Sequence, residues 1–269
     1  MTHWIAVNLA AEGAAILAVM MFFVWLVYLR TDNAGFVDVG WSLGLPILAV
    51  FYAWSADGAR QLPRMWLLAG MVVLWGVRLA IHLLTRILRE PEDGRYQEIR
   101  KSWRTNLKLK FLLFFEFQAL LDVVLSIPFL LVALDPRKPL SFFEYAGLLL
   151  WIIAVAGESI ADAQLAAFKR EPQNRGKVCQ SGLWNVSRHP NYFFEWFVWV
   201  AWAVYAWPSR YGWLGVLSPV LMIFFLYRVT GIPATEAQSL RSRGEQYRRY
   251  QQTTSAFVPW FKTKAEAGK

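Results

Sequence analysis

The chain has 269 residues, 57% of them hydrophobic and 17% charged, with 15 Trp and a net charge of +9. That is little charge for a soluble domain of this length, and the apolar residues fall in long blocks, so the composition argues for a multi-span membrane protein. Basic loops at a membrane face account for the positive charge without a nucleic-acid partner. One cysteine, Cys179, and three widely separated histidines exclude an internal disulfide and offer no metal-ligand spacing, so no metal is expected.

A span needs about 20 mostly apolar residues, and seven blocks meet or approach that length: 9–29, 36–54, 65–88, 111–134, 143–165, 192–207 and 211–229. The expected fold is therefore an all-α, multi-pass membrane domain of seven transmembrane helices, followed by a basic tail over 230–269. No basic segment precedes the first block, which reads as a retained span rather than a cleaved signal. Arg30 and the segments 86–110, 169–188 and 228–269 hold 22 of the 28 Lys and Arg. Seven spans put all of these on one side. The positive-inside rule then makes that side cytoplasmic, with the N-terminus outside and the C-terminus inside.

Charged residues within the expected spans include Asp38, Arg78, Glu116, Asp122, Glu158, Asp162 and Glu195. Such groups are expensive in lipid and face the protein interior, a cavity or a partner, unless they sit near a span end. Glu158 and Asp162 are four apart and share a helical face that points toward the second basic loop.

Three segments on the basic side hold most of the polar chemistry. In 86–103, RILREPEDGRYQEIRKSW, Arg89, Asp93, Arg95 and Tyr96 are expected in a loop, with Pro91 and Gly94 breaking the helix. In 168–191, the run ends in SRHPN, and Arg188, His189, Asn191, Tyr192 and Glu195 crowd the start of the sixth span. In the tail, Glu236, Leu240, Arg243, Tyr247 and Tyr250 line one side of an expected helix ending before Pro259. A solvated basic face that attracts anionic lipid is the plain reading of such loops. Their interleaving of Arg with Asn, Tyr, Asp, Glu and His suits a specific phosphate-bearing ligand better. No GxGxxG after a strand, no GxxxxGK[ST] and no GxSxG is present, so a nucleotide would be held by loops and helix ends.

Three stretches, FVDVGWSLG, WGVRLAIHLLTRILREPEDGRYQEIR and SGLWNVSRHPNYFFEW through TSAFVPWF, together resemble the bacterial branch of the steroid 5-alpha-reductase family, the DUF1295 membrane proteins, over residues 30–261. The RHPxY segment and the tail EAQSLRSRGEQYRRYQQTT are shared with isoprenylcysteine carboxyl methyltransferases, so an S-adenosylmethionine-dependent methyltransferase is the alternative. FVDVGWSLG and DGRYQEIR favour the reductase pattern. That resemblance implies a bacterial inner-membrane enzyme that uses NADPH to reduce the C=C bond of an apolar enone, such as a 3-oxo-Δ4-steroid, reached from the bilayer. It implies a carbonyl-polarising role for Asp38. The family's third-span tyrosine falls on Trp75 here, and Tyr96 is expected to supply the phenol instead. For the cofactor it implies Asp162, Asn191 and Glu195, with Arg188, His189 and Tyr192 in the same motif. Lys169 or Arg170 stands where the pattern has an Arg near phosphate, and Arg89, Arg95, Arg243 and Tyr247 complete the expected set.

Overall fold

In the computed structural model the chain is helical throughout, with no strand among the described residues, which are 2–56, 58–137, 139–229 and 231–262. Lys138, Thr230 and residues 263–269, which belong to the charge count and the expected tail, lie outside them. The long helices are α1 (Thr2–Thr31), α2 (Phe36–Ser55), α3 (Pro63–Arg89), α4 (Gly94–Trp103), α5 (Leu107–Leu125), α6 (Ile127–Ala133), α7 (Phe142–Arg170), α8 (Pro190–Ala206), α9 (Leu217–Arg228) and α10 (Ile232–Thr253).

Among the described residues five helices are long and apolar enough to cross a membrane: Trp4–Thr31, Phe36–Ser55, Pro63–Arg89, Phe142–Arg170 and the run Gly212–Thr253. Counting α5 and α6 as one broken span, bent by 46°, makes six. The sixth expected span, 192–207, corresponds to α8, whose 17 residues reach only about 25 Å at the α-helical rise. The chain is a multi-span, all-helical membrane protein.

The chain divides into two compact units, Met1–Gly147 with Trp202–Ser218, and Leu148–Ala201 with Pro219–Lys269. Within the first, α2 packs against α1, α3 and α5. Proline shapes two of its helices. Pro46 inside α2 has no N–H to donate to the Ser42 carbonyl one turn back. A methyl group added at Gly76 of α3 would lie 2.6 Å from that carbonyl oxygen and would strike the Pro46 ring, so only glycine lets the two helices approach this closely. Pro128 likewise cannot donate to Val124, and the span breaks at Ser126. Two hydroxyls cap carbonyls exposed by the break: Ser126 Oγ donates to Val123 O at 2.9 Å and Ser218 Oγ to Leu125 O at 2.9 Å.

Within this unit one arginine is fully buried. Arg64, in the first turn of α3, donates to Glu144 Oε1 at 2.6 Å and to Ser209 Oγ at 3.0 Å, and lies 3.3 Å from Asp135 Oδ1. Its carbonyl accepts the Tyr205 hydroxyl at 2.6 Å. One guanidinium thus ties α3 to the start of α7, the 134–141 connection and the turn after α8. Trp75, where the resemblance implies a tyrosine, is also fully buried, with edge contacts to Trp41 and Trp202.

In the second unit α7 and α8 touch closely at Gly157, where any side chain would strike the Phe194 ring. Leu226, Ile232 and Phe257 form a core beside the α8 aromatics Tyr192, Phe193 and Trp196.

Arg64→Leu leaves Glu144 buried without its cation, while Asp135 keeps Arg137, and the expected loss is about 3–5 kcal/mol, read as a large drop in thermal midpoint in detergent or nanodiscs. Gly76→Ala is expected to cost about 1–3 kcal/mol by overpacking α2 on α3 in the same measurement.

Candidate functional site

The first cluster stands where α2 and α4 begin. Arg95 and Tyr96 do not lie in a loop as expected: the loop is only 90–93, and α4 starts at Gly94 because Asp93 caps it, accepting the Arg95 backbone N–H at 2.9 Å. The cap also sets side chains, since Asp93 Oδ1 accepts Arg95 Nε at 3.1 Å and Asp93 Oδ2 accepts Arg86 Nη2 at 3.3 Å. So held, Arg95 Nη2 donates to Asp38 Oδ2 at 3.1 Å, while the Tyr96 hydroxyl donates to Asp38 Oδ1 at 2.6 Å. Asp38 and Tyr96, 58 residues apart, are therefore joined directly, and Arg95, expected among the cofactor residues, belongs to this group.

The electrostatics follow from burial and pairing. Tyr96 is 3% exposed. Burial first, then the Asp38 and Asp93 charges, push its phenol well above the ordinary tyrosine range, outweighing Arg95, so it holds its proton at neutral pH. Burial opposes the Arg95 charge, but Asp38, Tyr96 and Asp93 outweigh it and raise its pKa. Burial raises the Asp93 carboxyl, yet Arg95 and Arg86 bring it below the usual range. Asp38 and Arg95 keep partial exposure, with 23% and 34% of their side chains accessible, so the face open to a ligand is a carboxylate beside a guanidinium, with the phenol behind.

A second polar group lies on α7 and α8 within the other unit. Asn191 Nδ2 donates to Asp162 Oδ1 at 3.3 Å, and its own Oδ1 accepts the Tyr192 backbone N–H at 3.0 Å. One turn further along α8, Glu195 Oε1 accepts the Trp199 indole N–H at 3.3 Å. Glu158, one turn before Asp162, is 4% exposed.

Beyond the end of α7 opens a cleft of about 500 Å³. Its walls include Lys169, Arg170, Arg175, Lys177 and Arg243, with Glu171 and Cys179. Arg243 reaches this cleft from α10 because its Nε donates to Lys177 O at 3.1 Å. Tyr247 and Tyr250, further along the same helix, pack on Val178. Burial and the Glu236 charge raise the Tyr247 phenol to about 12. Lys169, Arg170 and Arg243 were expected from the sequence. Arg175 and Lys177 were not singled out, although they stand in the same basic loop, and that local charge density was the available signal.

Arg188 and His189 have other partners. Arg188 Nε donates to Glu236 Oε1 at 2.6 Å, and its Nη1 donates to Gln251 O at 2.8 Å and Thr254 O at 2.6 Å. His189 Nε2 lies 3.3 Å from the same Glu236 oxygen, and its ring stacks on Tyr192 at 5.4 Å. The Tyr192 hydroxyl pairs with Thr235 Oγ1 at 3.2 Å. These groups clasp α10 and the strand-like 254–260 segment, which Ser187 and Val186 hold through Phe257 O and Trp260 N. Arg89 is exposed in the last turn of α3.

Glu236 ties the clasp together. Burial raises its carboxyl, but hydrogen bonds from His189, Arg188 and Gln251 and the Arg188 charge lower it from 4.5 to about 2. Because the folded value is depressed, the clasp contributes fully above about pH 4.5 and fades as the pH falls toward 2. Hydrogen exchange over 232–253 should show α10 losing protection across that window. Glu236→Gln should lower protection at neutral pH and flatten the profile.

A family model described as a protein of unknown function (DUF1295) matches residues 24–254. No curated protein matches the chain. With most of its length inside that match, the chain belongs to the DUF1295 family.

Proposed function

We propose that this protein is an NADPH-dependent membrane reductase of an enone C=C bond in an apolar substrate of the 3-oxo-Δ4-steroid type. The observation that carries the reading is the Asp38–Tyr96 hydrogen bond of 2.6 Å with Arg95 on the second Asp38 oxygen. Reduction of an enone places negative charge on the ketone oxygen, and rate is gained by donors already aimed at that charge. Arg95 supplies a fixed positive charge and N–H donors, and Tyr96 holds a proton on its phenol oxygen. Asp38 keeps both oriented, while Asp93 holds Arg95 in place.

The residues present fit a phosphorylated dinucleotide. Guanidinium forks suit phosphate, and Lys169, Arg170, Arg175, Lys177 and Arg243 supply the cations of one cleft. Asp162, Glu195 and Asn191 offer the carboxylate and amide acceptors that ribose hydroxyls and a carboxamide need. NADPH, when bound, supplies the hydride. In this reading Arg188, His189 and Tyr192 form the support that fixes the start of α8 and the course of α10. Tyr247 anchors the helix from which Arg243 extends, and Arg89 adds to the basic face.

The proposed topology has seven spans, the N-terminus outside and the C-terminus cytoplasmic. Three facts support it: the Lys and Arg asymmetry of the loops, the five or six helices long enough to cross, and an apolar α8 with Tyr192 and Trp207 near its ends. The membrane is proposed to be a bacterial cytoplasmic membrane, with the substrate arriving through the lipid.

Purified protein in nanodiscs should gain thermal stability with NADPH, by about 2.7 kcal/mol at one hundred times its Kd, and Arg243→Glu should weaken that gain. No shift at saturating NADPH, or a shift with S-adenosylhomocysteine instead, would overturn the reading in favour of the methyltransferase alternative. With NADPH and a 3-oxo-Δ4-steroid, Asp38→Asn and Tyr96→Phe should each lower turnover about 100-fold or more while leaving the NADPH-induced shift in place.

A further inference from the structure

Asp122 lies on α5 within the broken span and takes no part in the site described above. Its side chain is fully buried, and neither carboxyl oxygen has a hydrogen-bond partner among the described residues. Its neighbours are apolar. A methyl group built on Gly44 of α2 would collide with Asp122 Oδ2 and lie 3.5 Å from Leu17 of α1, so the carboxyl fills the space that the glycine leaves open.

That environment decides the chemical state. An ionised carboxylate without donors or a counter-ion in an apolar interior is costly enough that such groups neutralise instead. A metal cation would need several more oxygen ligands than one carboxyl provides. A proton needs none. Ser126 follows Asp122 by one turn on the same face of α5, and its hydroxyl lies 3.3 Å from the Tyr52 hydroxyl, with both side chains fully buried. The break at Ser126 therefore leaves a short line of exchangeable hydroxyls beside the acid.

From this arrangement we propose that Asp122 is a proton-binding site inside the membrane, a neutral carboxylic acid one helical turn before Ser126, whose hydroxyl pairs with that of Tyr52. It is independent of the reductase reading, since it uses none of the residues assigned there.

The test is infrared spectroscopy of the full chain in nanodiscs with ¹³C-labelled aspartate, at a pH of about 8, above the ordinary carboxyl range. The expected result is a labelled protonated-carboxyl C=O band in the wild type, shifted by hydrogen–deuterium exchange and absent from Asp122→Asn. If that variant does not fold, Asp122→Glu also removes the labelled carboxyl and serves as the reference. A wild type without the band, a band that survives both substitutions, or a band that vanishes when sodium or potassium is added would overturn the proposal.

Discussion

A guanidinium with no exposed surface has to find its counter-charges inside the protein, and Arg64 finds two. Glu144 and Asp135 neutralise it, and Ser209 takes a further donor. In an apolar helical protein this compensation determines which helix ends can meet, because removing either partner strands a charge where water cannot solvate it. The same rule operates at the opposite helix ends of that unit, where Asp38, Arg95, Asp93 and Arg86 form an alternating chain of charges. It operates again at Glu236, shared by Arg188 and His189. Each cluster joins residues distant in sequence, and each fixes a loop that helix propensity alone would leave undefined.

The backbone sets a second constraint. Apolar helices associate in lipid through close packing rather than through the hydrophobic effect, so small residues decide where approach is tightest. Gly76 admits the Pro46 ring, Gly44 admits the Asp122 carboxyl and Gly157 admits the Phe194 ring. Prolines at 46 and 128 withdraw one donor each, and the structure answers with hydroxyl caps at the break. The polar interior of this protein is therefore tied to its helix irregularities, as expected where irregular backbone is tolerated only inside protein.

For function, the consequence is a division of labour among residues that look alike on paper. Arg95, in the first turn of α4, and Arg188, just before α8, are both arginines in polar segments beside a helix start. Arg95 keeps a third of its side chain accessible beside a carboxylate. Arg188 spends its donors on Glu236 and two backbone carbonyls and is 11% exposed. In the proposed reading the first meets a substrate oxygen. The second holds the fold that presents Arg243 to the basic cleft.

The sequence by itself determined the helical class, the membrane habit, the approximate position of most of the long helices and the polar blocks worth inspecting, because each rests on local composition and spacing. It also singled out Asp38 and Tyr96, since a carboxylate in an apolar run and a tyrosine in a charged loop are visible singly. What only the tertiary structure decided is pairing. Nothing local distinguishes Arg64, a buried keystone, from Arg60 or Arg210, and nothing local reveals that Asp93 would start a helix and aim Arg95 at Asp38. Asp122 was expected to face the interior, a partner or an interface, and only packing shows it fully buried against Gly44. The physical reason is common to all of these. The cost of a buried charge depends on which side chains arrive from other helices, and that is a property of packing, absent from any single segment.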